Sequence, residues 1–148
     1  MEKKIAIGSD HAGYPLKEEL KNYLNTKGYE IIDVGCYSED SCNYPEFAFK
    51  VCQEVLSNSC LGILICGSGI GMSISANRVK GIRAALCFNE YMAKMSRRHN
   101  NANILCLGAR VIGADLAISI VDSFLQEEFE GGRHLKRINL IESLGENA

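Results

Sequence analysis

The sequence predicts an α/β domain in which helices cover both faces of a five-stranded parallel sheet. Three observations support this prediction. Five short apolar runs alternate with segments of helical spacing. Glycine and proline mark several of the boundaries between them. The order of the runs and helical segments is that of successive β-α-β units. The chain of 148 residues fits one domain, 1–148, and is long enough to bury a substantial core.

The first strand, helix and second strand are predicted from residue 4 onward. Residues 4–8 and 30–34 are short apolar runs typical of strands. Between them, 15–27 is predicted as a helix, with Pro15 in its first turn and Gly28 just beyond its end. Its apolar face is formed at helical spacing by Leu16, Leu20, Tyr23 and Leu24.

The middle of the chain repeats the pattern. Residues 45–57 are predicted as a helix, 61–66 as a buried strand because the run is continuously apolar, and 69–77 as a short helix. The side chains that the second helix is expected to turn inward are Phe47, Val51, Val55 and Leu56.

The last third supplies the fourth and fifth strands, at 82–87 and 104–107, and helices at 89–98 and 113–127. The core positions expected on the last of these helices are Leu116, Ile120, Val121 and Phe124. The tail, 131–143, is basic at first and then amphipathic.

The composition excludes several classes of protein. A net charge of −2, from 16 basic and 18 acidic residues, argues against a nucleic-acid binder that depends on bulk charge. No run reaches the ~18 apolar residues of a membrane span, and the first run does not form a signal peptide. The seven cysteines include no C-x-x-C pair and several lie in apolar runs, as reduced thiols do, so we expect no zinc site. We therefore expect a cytoplasmic protein without a membrane or nucleic-acid partner.

A glycine-rich loop directly follows the third predicted strand. The apolar run ends at Cys66, and the next five residues are Gly67, Ser68, Gly69, Ile70 and Gly71. Backbone N–H groups at a strand-to-helix junction bind anions, and a thiolate at this position would be stabilised. The loop lacks the G-K-[S/T] of a P-loop and the spacing of a dinucleotide fingerprint. It is either an anion site beside a reactive thiol, or a tight turn beside a core thiol.

Other polar residues stand at the carboxyl ends of predicted strands, where ligands bind in parallel sheets. Asp10 and His11 follow the first strand and either form part of a site or start the next helix. Arg110 follows the fifth strand. These positions are therefore candidates for ligand binding.

Two further polar groups lie in or next to helical segments. His99 and Asn100 follow the helix after strand four, and a histidine beside an amide suits proton transfer to a polar ligand. Arg133 and Arg137 are four residues apart and would share a helix face. They form either a clamp for a phosphate monoester or a solvated basic face.

Four of these stretches together resemble the ribose-5-phosphate isomerase B family, which is grouped with the galactose-6-phosphate isomerase subunits. They are Gly-Ser-Asp-His-Ala-Gly at 8–13, Ile-Cys-Gly-Ser-Gly-Ile-Gly at 65–71, Arg-Arg-His-Asn at 97–100, and Gly-Gly-Arg-His at 131–134 with Arg137. The motifs fall in the family's order and spacing. The resemblance implies a Rossmann-like, three-layer α/β/α fold and a homodimer, sometimes paired into a tetramer.

The resemblance also implies an activity. It is that of an aldose–ketose isomerase that interconverts D-ribose 5-phosphate and D-ribulose 5-phosphate in the pentose phosphate pathway, through a cis-enediolate and without a metal or cofactor. The alternatives are the same chemistry on allose 6-phosphate or galactose 6-phosphate, and a non-catalytic module that binds a phosphate ligand.

The resemblance assigns the chemical roles to four residues and one loop. Cys66 is the base that moves a proton between C1 and C2 of the sugar. Residues 67–71 form the anion hole, with the Ser68 hydroxyl assisting. His99 promotes opening of the furanose ring, with Asp10 nearby.

The resemblance assigns binding roles as well. The residues expected to hold the phosphate are His11, Arg110, Arg133 and Arg137. Those expected to contact the sugar chain are Tyr44 and Asn100. The site is expected at the dimer interface with residues from both subunits, and the segment 131–148 is expected to pack near that interface.

Overall fold

Five parallel strands form one sheet in the order β2-β1-β3-β5-β4, in a computed structural model that describes residues 3–148 of the predicted domain 1–148. The strands are β1 (Lys4–Ser9), β2 (Glu30–Asp33), β3 (Leu61–Cys66), β4 (Ala84–Leu86) and β5 (Ile104–Gly108). The helices are α1 (Tyr14–Thr26), α2 (Tyr44–Asn58), α3 (Ile70–Ala76), α4 (Glu90–Arg98), α5 (Ala114–Gln126) and α6 (Arg133–Glu146). The predicted three-layer α/β/α fold is therefore confirmed.

The central strands are buried on both faces, and their alternation sorts side chains between two cores. In β3, Ile63 and Ile65 pack in the core formed with α1, α4 and α5. Leu64 and Cys66 pack on the opposite face, in the core formed with α2 and α3. This alternation is the period of two that a strand imposes. It places the Cys66 side chain on the α2–α3 side of the sheet.

Two predicted core positions are wrong. Leu56 and Leu116 are 46% and 36% exposed, whereas their neighbours Val55 and Ala117 are buried. Each leucine lies one residue, or about 100° of helix rotation, from the buried stripe. The predicted strand 82–87 is also shorter in the structure, because the amides of Arg83 and Ala84 bind asparagine side chains instead of a neighbouring strand.

An unpredicted buried ion pair fixes the segment that follows β2. The fully buried Lys17 ammonium donates to both carboxylate oxygens of Asp33, at 2.8 and 2.7 Å. Lys21 donates to the same carboxylate at 2.7 Å, and the Gly35 amide at 2.9 Å. Burial alone would raise the pKa of Asp33, but these hydrogen bonds lower it below its ordinary value. The charged carboxylate thereby anchors the start of segment 34–43.

The amphipathic tail forms the helix α6, which is attached mainly by polar contacts. Ion pairs join Arg83 to Glu142 at 3.0 Å and Lys80 to Glu146 at 2.8 Å. The large apolar side chains that remain exposed on this helix are Leu135, Leu140, Ile141 and Leu144. Within residues 3–148, no helix has the length and apolar character needed to span a membrane.

Candidate active site

Cys66 ends β3 and is enclosed by the loop that follows it. Its thiol is 5% exposed, and its sulfur accepts a hydrogen bond from the Gly69 amide at 3.1 Å. Gly69 has φ +81°, and a Cβ there would lie 2.5 Å from the Leu86 side chain and 2.9 Å from the backbone of Leu107. Only glycine meets both conditions, since a side chain would be strained and would clash. The loop therefore depends on glycine to direct an N–H group at the sulfur.

The other loop residues contact two of the predicted binding residues. The Ser68 hydroxyl accepts a hydrogen bond from the Ile70 amide at 3.2 Å, and so lies at the start of α3. A Cβ on Gly71 would lie 2.5 Å from the Tyr44 ring. Arg110 donates its amide to the Gly67 carbonyl at 2.9 Å, and its guanidinium covers Gly67. An aromatic hydroxyl and a cation thus flank the loop.

Asp10 and His11 lie beside this loop, at the end of β1. The Asp10 carboxylate accepts a hydrogen bond from the Gly13 amide at 3.0 Å, so it does help to start the next helix. Its backbone amide also donates to Ile65 at 3.2 Å, which places Asp10 against β3. Asp10 therefore stabilises the turn before α1 and also borders the thiol's loop, and its role in a site stays a prediction.

The orientation of His11 is fixed by a residue that the sequence analysis missed. The Cys42 amide donates to Nδ1 of His11 at 3.2 Å, which leaves the proton of the neutral ring on Nε2. The Cys42 thiol lies 3.9 Å from the same nitrogen. Burial, followed by the neighbouring Cys36 thiol, raises the pKa of Cys42 to about 11. Cys42 therefore stays neutral and acts on His11 through its backbone.

One open cleft, of about 600 Å³, brings together the larger part of the predicted site. The predicted residues that line it are Asp10, Tyr44, Cys66, Gly67, Ser68, Ile70, Gly71 and Arg110. Ile74 and Val111 complete the lining, and both are exposed apolar side chains that no sequence pattern indicated. The cleft combines a thiol, backbone donors and a cation, which suits a small anionic ligand.

Gly69 and His11 lie beside this cleft, but His99, Asn100, Arg133 and Arg137 lie at the opposite edge of the sheet in the same chain. His99 caps the carboxyl end of α4, and the chain then reaches Asn103, whose carbonyl accepts from Gly62 at the start of β3. Cys66 lies four residues further along that strand, about 13 Å away at the usual rise. One copy of the chain therefore does not bring His99 and Asn100 to Cys66.

The basic residues of α6 belong to this second group. Arg133 and Arg137 are exposed, and within residues 3–148 neither forms an ion pair with an acidic side chain. Between them in the chain, His134 is buried and its ring stacks on His99, with centroids 4.2 Å apart and planes 10° from parallel. Burial, followed by the nearby charge of His99 and Arg133, lowers the pKa of His134. This edge is therefore rich in cations available to an anionic ligand.

His99, Glu130 and His134 are the only set of three metal-type ligands found close together from residue 3 onward, with ligand atoms within 4.8 Å of one another. Two histidines and a glutamate can bind zinc. However, the two imidazole rings are stacked and nearly parallel, so their in-plane lone pairs lie in separate planes and do not converge on one ion. The Arg98 guanidinium also pairs with Glu130 at 2.7 Å. Ring geometry and charge both disfavour a cation here.

No role was predicted from the sequence for Glu130 or His134. One signal was present, since the two residues are four apart and flank the Gly-Gly pair before α6. Their relation to His99 depends on how α4 and α6 meet, which the spacing alone does not give.

Comparisons with known proteins cover almost the whole chain. A family model described as Ribose/Galactose Isomerase matches residues 5–141. Ribose-5-phosphate isomerase B of Escherichia coli (strain K12) is 46% identical over 143 residues, which are 96% of each protein. The structure of the Clostridium thermocellum ribose-5-phosphate isomerase B has a TM-score of 0.95 and 54% identity, covering 97% of this chain and 98% of that one. The structure of ribose-5-phosphate isomerase B from Mycoplasma genitalium with bound ribulose 5-phosphate has a TM-score of 0.93 and 44% identity, covering 100% of this chain and 99% of that one.

Proposed function

The chain belongs to the ribose/galactose isomerase family, and from this premise we propose that it interconverts D-ribose 5-phosphate and D-ribulose 5-phosphate through a cis-enediolate. The observation that carries the proposal is the Cys66 thiol at the floor of a cleft, bonded to the Gly69 amide and surrounded by the glycine loop. A non-catalytic module that binds a phosphate ligand would have no use for a thiol in that position.

Cys66 is the proposed base of the isomerisation. Its thiolate takes a proton from the carbon next to the carbonyl, and negative charge develops on the carbonyl oxygen. We assign the stabilisation of that oxygen in the transition state to backbone donors of residues 67–71, with the Ser68 hydroxyl assisting. The thiol then delivers a proton to the neighbouring carbon, and this proton exchanges with solvent in the turnovers in which the enediolate lives long enough. Because the proton moves within the substrate, the reaction needs neither a redox cofactor nor a metal.

The phosphate is proposed to be held by histidine and arginine side chains from two copies of the chain. His11 and Arg110 lie on the cleft side, whereas Arg133 and Arg137 lie at the other edge of the sheet. A homodimer in which α6 of one copy faces the cleft of the other would join them. The exposed apolar residues of α6 support such an interface, as do exposed Ile74 and Val111 beside the cleft.

The same arrangement is proposed to bring His99 and Asn100 of the second copy to the sugar. His99 would promote opening of the furanose ring, with Asp10 nearby, while Asn100 and Tyr44 would contact the hydroxyl groups of the chain. Remote binding of the phosphate orients the reacting carbons over Cys66.

The base assignment predicts that Cys66→Ala loses at least about 100-fold in kcat on ribose 5-phosphate, since general base catalysis contributes roughly 10²–10⁴. Substrate binding should persist, because the phosphate contacts remain. Cys60→Ala is the matched control, since this free cysteine lies outside the cleft. Its kcat should equal that of the wild type, and near-normal turnover by Cys66→Ala would refute the assignment.

The substrate assignment is tested separately, because the family description covers two sugars. Values of kcat/KM on ribose 5-phosphate, allose 6-phosphate and galactose 6-phosphate should favour the five-carbon sugar. A preference for a six-carbon sugar would overturn the proposed substrate and leave the chemistry at Cys66 in place.

A further inference from the structure

Two stacked histidines share one carboxylate at the edge of the sheet where α4 and α6 meet. Nε2 of His99 lies 3.8 Å from Oε1 of Glu130, and Nε2 of His134 lies 3.5 Å from the same oxygen. The Nε2 atom of His134 is buried and has no hydrogen-bond partner within residues 3–148. Both Nε2 atoms therefore lie within about 4 Å of one carboxylate oxygen, close enough for its charge to act on both rings.

Glu130 is held in place by its own contacts. Its other carboxylate oxygen accepts from Nε of Arg98 at 2.7 Å, and its backbone amide donates to the Arg98 carbonyl at 3.0 Å. Burial alone would raise the pKa of Glu130, but the Arg98 hydrogen bond and the nearby histidines lower it. The group is thus a charged carboxylate fixed beside the rings.

The charges around Glu130 determine how its carboxylate acts on the two imidazole rings. Arg98 is also approached by Glu127 at 4.0 Å, and Arg133 and Arg137 add positive charge beside His134. Glu130 is the one acidic group near both imidazoles among the described residues, 3–148. A carboxylate facing one ring nitrogen favours the tautomer with its proton on that nitrogen, and leaves a lone pair on the other.

We propose that Glu130 is a positioning residue that prepares His99 for ring opening, an inference that rests on the role proposed for His99 above. The charge of Glu130 favours the His99 tautomer with its proton on Nε2, and the stacked His134 ring limits rotation of the imidazole. Nδ1 is then free to take the proton from the anomeric hydroxyl. As the carbonyl forms at C1, the bond between C1 and the ring oxygen breaks and its electron pair stays on that oxygen. The imidazolium, stabilised by Glu130, returns the proton there.

This proposal separates ring opening from proton transfer at carbon, and the two substrates separate them experimentally. Ribose 5-phosphate is a furanose that must open, whereas ribulose 5-phosphate is an open chain because its C5 oxygen carries the phosphate. In heavy water, exchange of the C1 hydrogen of ribulose 5-phosphate reports enediolate formation without ring opening. Glu130→Gln should lose about 10- to 100-fold in kcat on ribose 5-phosphate, with KM within threefold and exchange within threefold of wild type.

Glu127→Gln is the matched control, because this residue contacts Arg98 and neither imidazole. It should match the wild type in every measurement, and thermal unfolding of both variants should match as well. A Glu130→Gln kcat equal to that of the control overturns the proposal, as does an equal loss of turnover and exchange. If instead the wild type does not convert ribose 5-phosphate, the proposed function fails and not only this inference.

Discussion

At the scale of single residues, the glycines shape the cleft as much as the larger side chains do, because they leave room for their neighbours. Gly69 lets an amide reach the Cys66 sulfur, and Gly71 lets the Tyr44 ring lie against α3. The sequence pattern predicted an anion site from three glycines at alternate positions, but each glycine has its own neighbour. Those neighbours come from α2, β4, β5 and the loop after β5, so they are known only from the fold.

A substitution at Gly71 should weaken substrate binding without lowering the free energy of unfolding. A Cβ at this position meets the Tyr44 ring at 2.5 Å, and the exposed ring can move away. Alanine favours a helix over glycine by about 1 kcal/mol, so the free energy of unfolding of Gly71→Ala should not fall. Displacement of Tyr44 should raise KM for ribose 5-phosphate about fivefold, the cost of roughly one hydrogen bond.

Gly113→Ala provides the comparison for this measurement. Gly113 has φ −85°, and a Cβ there meets nothing within 4 Å. Its KM should be unchanged. An unchanged KM in Gly71→Ala too would contradict the place of Tyr44 in substrate binding.

At the scale of elements, the strands and helices followed from the sequence and the loops between them did not. Apolar runs and helical spacing predicted the order of β1 to β5 along the chain, because buried parallel strands need continuous apolar residues. Lys17 illustrates the limit of that argument. It stands on the buried face of α1, where the pattern of Leu16, Leu20 and Leu24 predicts an apolar residue, and only the fold reveals its partner Asp33.

The buried ion pair predicts that two lysines on α1 contribute unequally to the free energy of unfolding. Lys17→Met leaves the Asp33 carboxylate, which is largely buried, with its main partner removed. The free energy of unfolding should therefore fall by about 3–5 kcal/mol at pH 7. Lys21→Met removes a more exposed lysine from the same carboxylate and should cost about 1 kcal/mol or less. Equal losses in denaturant titrations would contradict this account.

The same pair predicts how the difference changes with pH. The pKa of Asp33 is lowered in the folded state, so its stabilising contribution is present above the unfolded pKa of about 3.9 and is lost as the pH falls through the folded pKa. The gap in unfolding free energy between wild type and Lys17→Met should therefore be widest above about pH 5 and should shrink in more acidic solution. A gap that widens in acid would contradict the assignment.

At the scale of the whole molecule, the candidate site is divided between the two edges of the sheet. The sequence motifs predicted both halves, because each stands in a short local pattern. His99 ends the helix that leads from β4 to the parallel strand β5, so it lies opposite the end of β3. The resemblance implied residues from two subunits, but no motif shows which copy supplies which residue. In the proposed homodimer, the relation between the halves depends on how the two copies meet, which no spacing within one chain gives.

A mixture of two inactive variants tests whether two copies share the site. Cys66→Ala and His99→Ala should each lose most turnover when assayed alone. In a mixed dimer, one site combines the intact Cys66 of one copy with the intact His99 of the other, and the second site carries both changes. Random reassembly of equal amounts makes about half of the dimers mixed, each with one working site of two, so about a quarter of wild-type activity should return.

Reassembly must be shown to occur for this measurement to decide the question. Subunits are dissociated in mild denaturant, mixed and returned to buffer, and differently tagged copies are co-purified to show that mixed dimers have formed. Each variant treated in the same way without the other is the control, and its activity should stay low. Mixed dimers without recovered activity would place Cys66 and His99 of the same copy in one site. Because one chain holds these residues at opposite edges of its sheet, that result would require a rearrangement of α4 relative to β3.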